Sequence, residues 1–150
     1  MNLKFRKFYL KDISTKYINW LKNEELTKYT EINNPSKKEV NKYVKLNIED
    51  KKVNFLRIIF KNKTHIGNLR IKYLSKNEVT IAILIGDQRY KNKGLGTQSI
   101  KLAIKMLKKR GNKTIFAYIN KKNIPSVKIF KKNGFTKLKN KSDLYYLSIK

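Results

Sequence analysis

The spacing of apolar residues changes along the chain, and these changes predict alternating strands and helices. Apolar and basic residues alternate from Leu3 to Tyr9, as in a strand with one wet face. A helix is predicted over residues 16–22, capped by either Asp12 or Ser14. Its apolar stripe consists of Tyr17, Trp20 and Leu21. Residues 23–26 continue into a second short turn.

A further helix is predicted to begin at Ser36, because Ser36 and Glu39 have the spacing of a capping box. Its apolar stripe consists of Val40, Tyr43, Val44 and Ile48. Residues 53–60 and 65–73 are rich in apolar and β-branched side chains, and a tight turn at 62–63 lies between them. They predict a pair of strands.

The stretch from Val79 to Arg110 combines a strand, a glycine loop and a long helix. Residues 80–85 form a short apolar run that ends at Gly86, as in a buried interior strand. Helical spacing then appears at Ile100, Ala103, Ile104 and Leu107. A cationic last turn at 108–110 followed by Gly111 predicts the end of this helix.

One more helix and three strands complete the pattern. Residues 114–119 predict a strand, residues 123–132 a short helix, and residues 135–138 and 144–149 two closing strands. The order is strand, two helices, three strands, helix, strand, helix, two strands. It predicts a single mixed α/β domain over residues 1–150, built around a central sheet.

Composition narrows the possible classes of protein. The chain is 40% hydrophobic, which does not suggest disorder, and it has no cysteine for disulfides, zinc–cysteine sites or a thiol nucleophile. No apolar run is long enough to span a membrane, and the N-terminal residues lack the apolar region of a signal peptide. We therefore expect a cytoplasmic protein without a membrane partner.

The formal net charge of +27 needs a separate explanation. Of the 37 basic residues, all but five are lysines, and they run from Lys4 to Lys150. Asparagine and isoleucine are also abundant, which indicates a compositional bias rather than a basic face selected for nucleic acid. We expect nonspecific attraction of polyanions and no dedicated nucleic-acid site.

The loop at 91–97 predicts an anion site where the strand gives way to the helix. The first amides of a helix have no internal acceptor, and the helix dipole favours negative charge there. Gly94 and Gly96 allow the backbone to approach an anion closely, and Lys91 and Lys93 add positive charge.

Two kinds of phosphate loop do not fit this sequence. A Walker loop requires a lysine between its last glycine and the hydroxyl residue, and Thr97 follows Gly96 directly. A dinucleotide fingerprint requires a third glycine and an acidic residue further on, and no Asp or Glu lies between Asp87 and Asp143.

Residues 83–107 resemble the acetyl-CoA segment of the GNAT superfamily of N-acetyltransferases, in which Gln/Arg-x-x-Gly-x-Gly/Ala opens a helix after the fourth strand. The matching residues are KNKGLG at 91–96. Residues 123–135 are similar to the family's N-x-x-S-x-x-x-Tyr/Phe-x-x-x-Gly-Phe element after the fifth strand. Residues 17–26 look like the start of members that acetylate amino sugars or protein N-termini.

The resemblance covers essentially the whole chain and implies a GNAT-like fold. Such a fold has a mostly antiparallel sheet of six or seven strands with about four helices. The implied cosubstrate is acetyl-CoA, without a metal. The implied residues for its binding are Ile83, Leu84, Ile85, Lys91, Asn92, Lys93, Gly94, Leu95, Gly96, Thr97, Asn123, Ser126 and Phe130.

The chain departs from the family pattern at four positions. Lys91 stands where Gln or Arg is usual, and Asn92 replaces a frequent glycine, but backbone amides and a lysine still suit a phosphate. Phe130 takes the place of a tyrosine that protonates the leaving thiolate in many members. Thr80 lies near the position of a frequent glutamate. Neither usual acid–base position therefore carries an ionisable group.

Other side chains are candidates for the chemistry. Asp87, just past the fourth strand, and Glu31, in the loop on the acceptor side, are candidate bases, although Asp87 also suits a turn cap and Glu31 a solvated loop. The Ser126 hydroxyl is a third catalytic candidate, or a cap for its own helix. Trp20, Tyr29 and Glu31 are predicted to contact the acceptor. The lone histidine, His65, is expected to be structural.

The resemblance leads to one principal hypothesis and two alternatives. The principal one is an acetyl-CoA-dependent N-acetyltransferase that acts on a small amine, specifically an amino-sugar nucleotide, by direct attack in a ternary complex. The first alternative is acetylation of a protein N-terminus, as in ribosomal-protein acetylases. The second is a basic nucleic-acid-binding module that keeps only the fold. The chain is expected to be a monomer or a homodimer.

Overall fold

A seven-stranded sheet organises the chain in the computed structural model, which describes residues 2–141 and 143–149. Its strands are β1 (Leu3–Lys7), β2 (Val53–Phe60), β3 (Thr64–Tyr73), β4 (Glu78–Ile85), β5 (Thr114–Tyr118), β6 (Thr136–Lys137) and β7 (Leu144–Ser148). They lie in the order β1-β2-β3-β4-β5-β7-β6, and every neighbouring pair except β4 and β5 is antiparallel. The predicted mostly antiparallel sheet is therefore confirmed.

Five α-helices and two 3₁₀ turns connect the strands within the described residues. The helices are α1 (Thr15–Lys22), α2 (Glu24–Thr27), α3 (Lys37–Glu49), α4 (Leu95–Lys109) and α5 (Ile124–Lys132). The 3₁₀ turns are Leu10–Asp12 and Gln88–Tyr90. The predicted order of strands and helices is confirmed. The single-turn helix α2, expected only as a turn, brings the number of helices to one more than the four predicted.

Local side-chain bonds fix where the first helices begin. The Tyr17 amide donates to the Ser14 hydroxyl at 3.0 Å, so Ser14 rather than Asp12 caps α1. Asp12 instead accepts from the Tyr9 amide at 2.8 Å, which closes the 3₁₀ turn and ends β1 before Tyr9. The capping box of α3 is present, because the Glu39 amide donates to the Ser36 hydroxyl and the Ser36 amide to the Glu39 carboxylate.

The sheet carries an apolar core on each face. Helices α4 and α5 cover one face, where Ile100 and Leu107 of α4 pack with the buried side chains of the strands. Helices α1 and α3 cover the other face, where Tyr17 and Val44 pack with Phe55 of β2. Alternation along each strand assigns its side chains to these two faces.

Strand β4 is less buried than the sequence predicts. Val79 and Ile81 are buried, but Ala82 is exposed and the three residues that follow are half-buried. The cause is that the ladder between β4 and β5 stops at the pair Thr80–Phe116. Beyond that pair the two strands separate and leave an opening. Within the described residues, no helix is long and apolar enough to cross a membrane.

Candidate active site

The opening between β4 and β5 is a cleft of about 330 Å³. It runs from α5 on one side to α1 and the loop after α2 on the other. Its walls are Tyr17, Leu21, Tyr29, Thr30, Glu31, Ile32, Tyr43, Phe55, Asn68, Arg70, Thr80, Ile81, Ala82, Ile83, Leu84, Tyr118, Ile119, Asn120, Asn123, Ser126 and Phe130. A cavity of this size with few charged groups is typical of a small-molecule site.

The backbone of β4 presents unpaired hydrogen-bonding groups to this cleft. The Gly86 amide donates to the Ile66 carbonyl, so even-numbered residues of β4 turn their backbone groups towards β3. Odd-numbered residues turn theirs towards β5, and Ile83 and Ile85 lie beyond the end of that ladder. Leu84 pairs with Asn68 of β3 instead. Of the three β4 residues predicted to bind the cofactor, two therefore have free backbone groups on this edge.

The glycine loop lies beside the end of this free edge and leads directly into α4. Gly94 is the N-cap of α4 and has a left-handed backbone, with φ of +76°. Asn92 is also left-handed, with φ of +59°. The first amide of α4 with a backbone acceptor is that of Gln98, which donates to the Gly94 carbonyl at 3.1 Å. The amides of the preceding turn, residues 95–97, are thus available to an anion.

The two parts of the family-like pattern are in contact. A Cβ placed on Gly96 would come within 2.8 Å of Ile129 Cδ1 on α5 and 3.7 Å of Ile85 Cγ1 on β4. Because Gly96 has no side chain, the start of α4 can pack closely against both α5 and β4. Asn133, at the end of α5, donates through Nδ2 to the Thr97 carbonyl at 3.2 Å. The loop and the end of β4 therefore pack against α5, although residues 91–97 are not themselves walls of the cleft.

The three predicted residues of α5 all line the cleft. Asn123 is the N-cap of α5, and its Oδ1 accepts from the Ser126 amide at 3.4 Å. Since Asn123 caps the helix, the Ser126 hydroxyl is not engaged as a cap and remains half-buried at the cleft wall. Phe130 is buried and packs edge-on against Phe135, with ring centroids 5.0 Å apart.

Asp87 does not line the cleft. Its buried carboxylate receives a two-point bond from the Arg89 guanidinium, at 3.0 and 2.8 Å, and Lys16 Nζ lies 3.5 Å away. It also accepts from the Arg89 amide and caps the 3₁₀ turn that follows β4. The hydrogen bond from the Arg89 side chain holds the pKa of Asp87 below its ordinary value. This environment favours the turn-cap interpretation over that of a base.

The predicted acceptor residues divide between the cleft and the core. Glu31 and Tyr29 line the cleft, and Glu31 is the carboxylate among its walls in the described part of the chain. Trp20 lies outside the walls and is buried against Gly86, where a Cβ would collide with the indole ring. Its ring also meets His65 edge-on, with centroids 4.9 Å apart. The geometry thus assigns Trp20 to packing.

His65 is next to the cleft but is not one of its walls. Its Nε2 lies 2.8 Å from Oδ1 of Asn68, and Asn68 does line the cleft. Burial lowers the pKa of His65, so the imidazole is neutral at neutral pH. Its aromatic neighbours Phe8, Tyr17 and Trp20 hold the ring in place, which agrees with the expected structural role.

Several polar residues of the cleft had no sequence prediction attached to them. Arg70 and Asn68 reach it from β3, and Tyr43 from α3. Burial raises the pKa of both Tyr17 and Tyr43, so these phenols keep their protons. One signal was present, since Arg70 is an arginine within an apolar strand of a chain whose basic residues are mostly lysines. Within the described residues, no group of His, Cys, Asp and Glu side chains could hold a metal ion.

Comparisons with known proteins place this geometry in context. A family model for the acetyltransferase (GNAT) domain matches residues 2–136. An uncharacterized protein of Methanocaldococcus jannaschii is 33% identical over 92 residues. That match covers 60% of this chain and 19% of the relative. This chain therefore matches only about a fifth of the relative's length.

Solved structures show the same fold at low sequence identity. A domain from Methanocaldococcus jannaschii superimposes with a TM-score of 0.82 and 24% identity, over 98% of both chains. The spermidine N-acetyltransferase of Vibrio cholerae, in complex with CoA and spermine, superimposes with a TM-score of 0.80 and 16% identity. That alignment covers 98% of this chain and 95% of the Vibrio chain.

Proposed function

This chain belongs to the GNAT family of acetyltransferases, and we propose that it transfers the acetyl group of acetyl-CoA to the primary amine of a small molecule. Family membership makes it an acyltransferase with acetyl-CoA as the expected cosubstrate. The proposal takes residues 1–150 as one catalytic domain. The observation that carries it is the free edge of β4 in a cleft that the start of α5 also lines, with the glycine loop packed beside the end of that edge.

The residues present suit acetyl-CoA. The free backbone groups of Ile83 and Ile85 are proposed to hold the amide-bearing pantetheine arm, with the Leu84 side chain against it. The amides of residues 95–97 are proposed to hold the pyrophosphate, with Lys91 and Lys93 supplying charge from the loop. When bound, acetyl-CoA supplies an acetyl group activated as a thioester.

The proposed reaction is direct attack by the acceptor amine. A bond forms between the amine nitrogen and the acetyl carbon, and the bond between that carbon and sulfur breaks. The attacking amine must be neutral, and Glu31 is proposed to accept its proton, directly or through water. The Ser126 hydroxyl is proposed to donate to the departing thiolate, since Phe130 has no proton to give.

Two acceptor classes remain predictions within this chemistry. An amino-sugar nucleotide follows from the resemblance of residues 17–26, and a protein N-terminus is the alternative. Incubation with acetyl-CoA and each class of amine, followed by mass spectrometry of the acceptor, distinguishes them. Release of free thiol that depends on an added amine supports the proposed function. Absence of amine-dependent thiol release across small amines and peptides would refute it.

A further inference from the structure

Arg70 brings a positive charge into the acceptor side of the cleft. It lies in the middle of β3, opposite Phe55 of β2 and Ala82 of β4. These three residues occupy one row on the same face of the sheet, and all three line the cleft. The Ala82 side chain is only a methyl group, so it leaves open space next to the Arg70 side chain on the side of β4. Arg70 as a whole is half-buried at this place.

This guanidinium has a neutral partner. Its Nε donates to Oδ1 of Asn47 on α3 at 2.6 Å, which fixes the orientation of its plane. The ion pairs found among residues 2–141 and 143–149 join Lys16, Lys45, Arg57 and Arg89 to carboxylates and do not include Arg70. A half-buried positive charge without a carboxylate partner is unfavourable unless an anion binds beside it and forms an ion pair. The planar donors left on the guanidinium match a carboxylate or a phosphate.

A second unsatisfied donor lies in the same cleft. The Tyr17 hydroxyl is fully buried and makes no hydrogen bond of normal geometry with the described residues, although the Asn68 side chain lies near it. Buried hydroxyls rarely lack a partner, and each such case calls for an explanation. Tyr17 and Tyr43 keep their protons because burial opposes their ionisation. Two phenols and a guanidinium therefore offer hydrogen-bond donors to whatever enters this end of the cleft.

We propose that the acceptor amine carries a negatively charged group, a carboxylate or a phosphate, and that Arg70 binds this group with help from the Tyr17 hydroxyl. This inference rests on the proposed function and names its acceptor class. Glu31, the carboxylate among the walls, then faces the ammonium end of the same molecule. Polycations such as the spermine in the Vibrio complex suit this cleft poorly. Among the described residues, its walls contain one carboxylate, that of Glu31, and the guanidinium of Arg70, which would repel a second positive charge.

The test compares amines that differ in one anionic group. Alanine is paired with alaninamide, glucosamine 6-phosphate with glucosamine, and spermidine serves as the polycation. Initial rates of thiol release with acetyl-CoA give kcat and KM for each amine. We expect at least one anionic amine to have a KM lower, by about tenfold or more, than the partner that lacks the anionic group. The two pairs tell a carboxylate acceptor from a phosphate acceptor.

Variants then assign the preference to Arg70. Arg70→Gln is expected to raise KM for the anionic amine by about tenfold or more, with kcat and the acetyl-CoA Kd nearly unchanged. Arg70→Lys should restore part of the loss, since it keeps the charge without the planar fork. Lys72→Gln is the matched control. Lys72 lies on the same face of β3, opposite Thr80, but is not a wall of the cleft, so its loss should leave KM unchanged.

The outcomes separate this inference from the proposed function. A preference for spermidine, or equal KM changes in Arg70→Gln and Lys72→Gln, would overturn the role of Arg70 while leaving the acetyltransferase intact. Retained KM for anionic amines in Arg70→Gln would do the same. If no amine releases thiol although acetyl-CoA binds, the proposed function itself fails and the acceptor class falls with it.

Discussion

Asn133 at the end of α5 donates through Nδ2 to the carbonyl oxygen of Thr97 in the first turn of α4, at 3.2 Å. This bond joins two sequence elements that are more than thirty residues apart. Beside it, Gly96 leaves no room for a side chain under Ile129. The first turn of α4, which is proposed to bind the pyrophosphate, is therefore held in place by the helix that also supplies Ser126 and its N-cap Asn123 to the cleft.

Gly94→Val is expected to weaken acetyl-CoA binding by about tenfold or more, because valine resists the left-handed backbone that shapes the loop. The side chain itself meets nothing within 4 Å. The strain costs about 1–2 kcal/mol of folding free energy. Titration calorimetry measures the Kd, and circular dichroism checks the fold.

Gly111→Val is the matched control for that change. Gly111 follows the other end of α4, has φ of +88° and also has nothing within 4 Å of its would-be Cβ. It should lose similar stability and keep its acetyl-CoA affinity. Equal affinity losses in the two variants would remove the loop from the binding site.

Asp87→Asn tests whether Asp87 is a base or a structural cap. We expect kcat to stay within about threefold and stability to fall by about 1 kcal/mol, a small amount because Arg89 is largely exposed. A drop in kcat of about a hundredfold with unchanged stability would favour the base instead.

The stability effect of Asp87 also has a defined pH dependence. Its pKa is lower in the folded chain than the ordinary value of 3.8, so the ionised form stabilises the fold. That contribution is fully present above this value and is lost as the pH falls below it. The difference in unfolding free energy between wild type and Asp87→Asn should be constant near neutral pH and shrink in acid. A difference that grows in acid would contradict the assignment.

Glu31→Gln should lower kcat/KM by about a hundredfold at neutral pH if Glu31 accepts the amine proton. The deficit should narrow as the pH rises, because the acceptor amine then loses its proton to solvent. Rates across the pH range measure this. Glu25→Gln, on exposed α2 and outside the cleft walls, is the control and should behave as wild type. A deficit that does not change with pH would contradict this role, because it would not depend on the protonation of the amine.

Tyr17→Phe is expected to stabilise the fold and to weaken binding of the acceptor. The Tyr17 hydroxyl is buried and makes no hydrogen bond of normal geometry with the described residues, so its removal should raise the unfolding free energy by about 1 kcal/mol. The same change should raise KM for the acceptor and leave the acetyl-CoA Kd unchanged. Thermal unfolding and steady-state rates are the two measurements. Lower stability together with an unchanged KM would show that the hydroxyl has a partner within the protein.

Local sequence signals were enough to predict most of the fold. The capping box at Ser36 and Glu39, the apolar spacing of α4 and the glycine stop at Gly111 each depend on residues within one or two turns. The order of elements along the chain, the mostly antiparallel sheet and the glycine loop followed from the same local patterns together with the family resemblance, whereas the order of the strands within the sheet was not predicted.

The acceptor side of the cleft depended on distant contacts and was largely missed. Arg70 from β3 and Tyr43 from α3 meet there because α3 packs against this face of the sheet, which no local pattern encodes. Asp87 was a candidate base from its place after β4, with a turn cap as the alternative. Its ion pair with Lys16 of α1 involves residues about seventy positions apart, so the sequence did not reveal it. Trp20 was predicted to contact the acceptor. Its packing on Gly86 also joins distant parts of the chain, so the sequence did not reveal it.

The most direct test of the central claim is thermal unfolding in the presence of acetyl-CoA. A ligand that binds only the folded state at about a hundredfold excess over its Kd adds about 2.7 kcal/mol, or roughly 5–10 °C. The net charge of +27 attracts any polyanion, so the buffer should contain about 0.3 M salt and ATP should serve as the comparison ligand. We predict that acetyl-CoA raises the unfolding temperature of the wild type by this amount and that ATP raises it much less. In Gly94→Val, the rise with acetyl-CoA should be lost. No rise with acetyl-CoA, or an equal rise with ATP, would contradict the account.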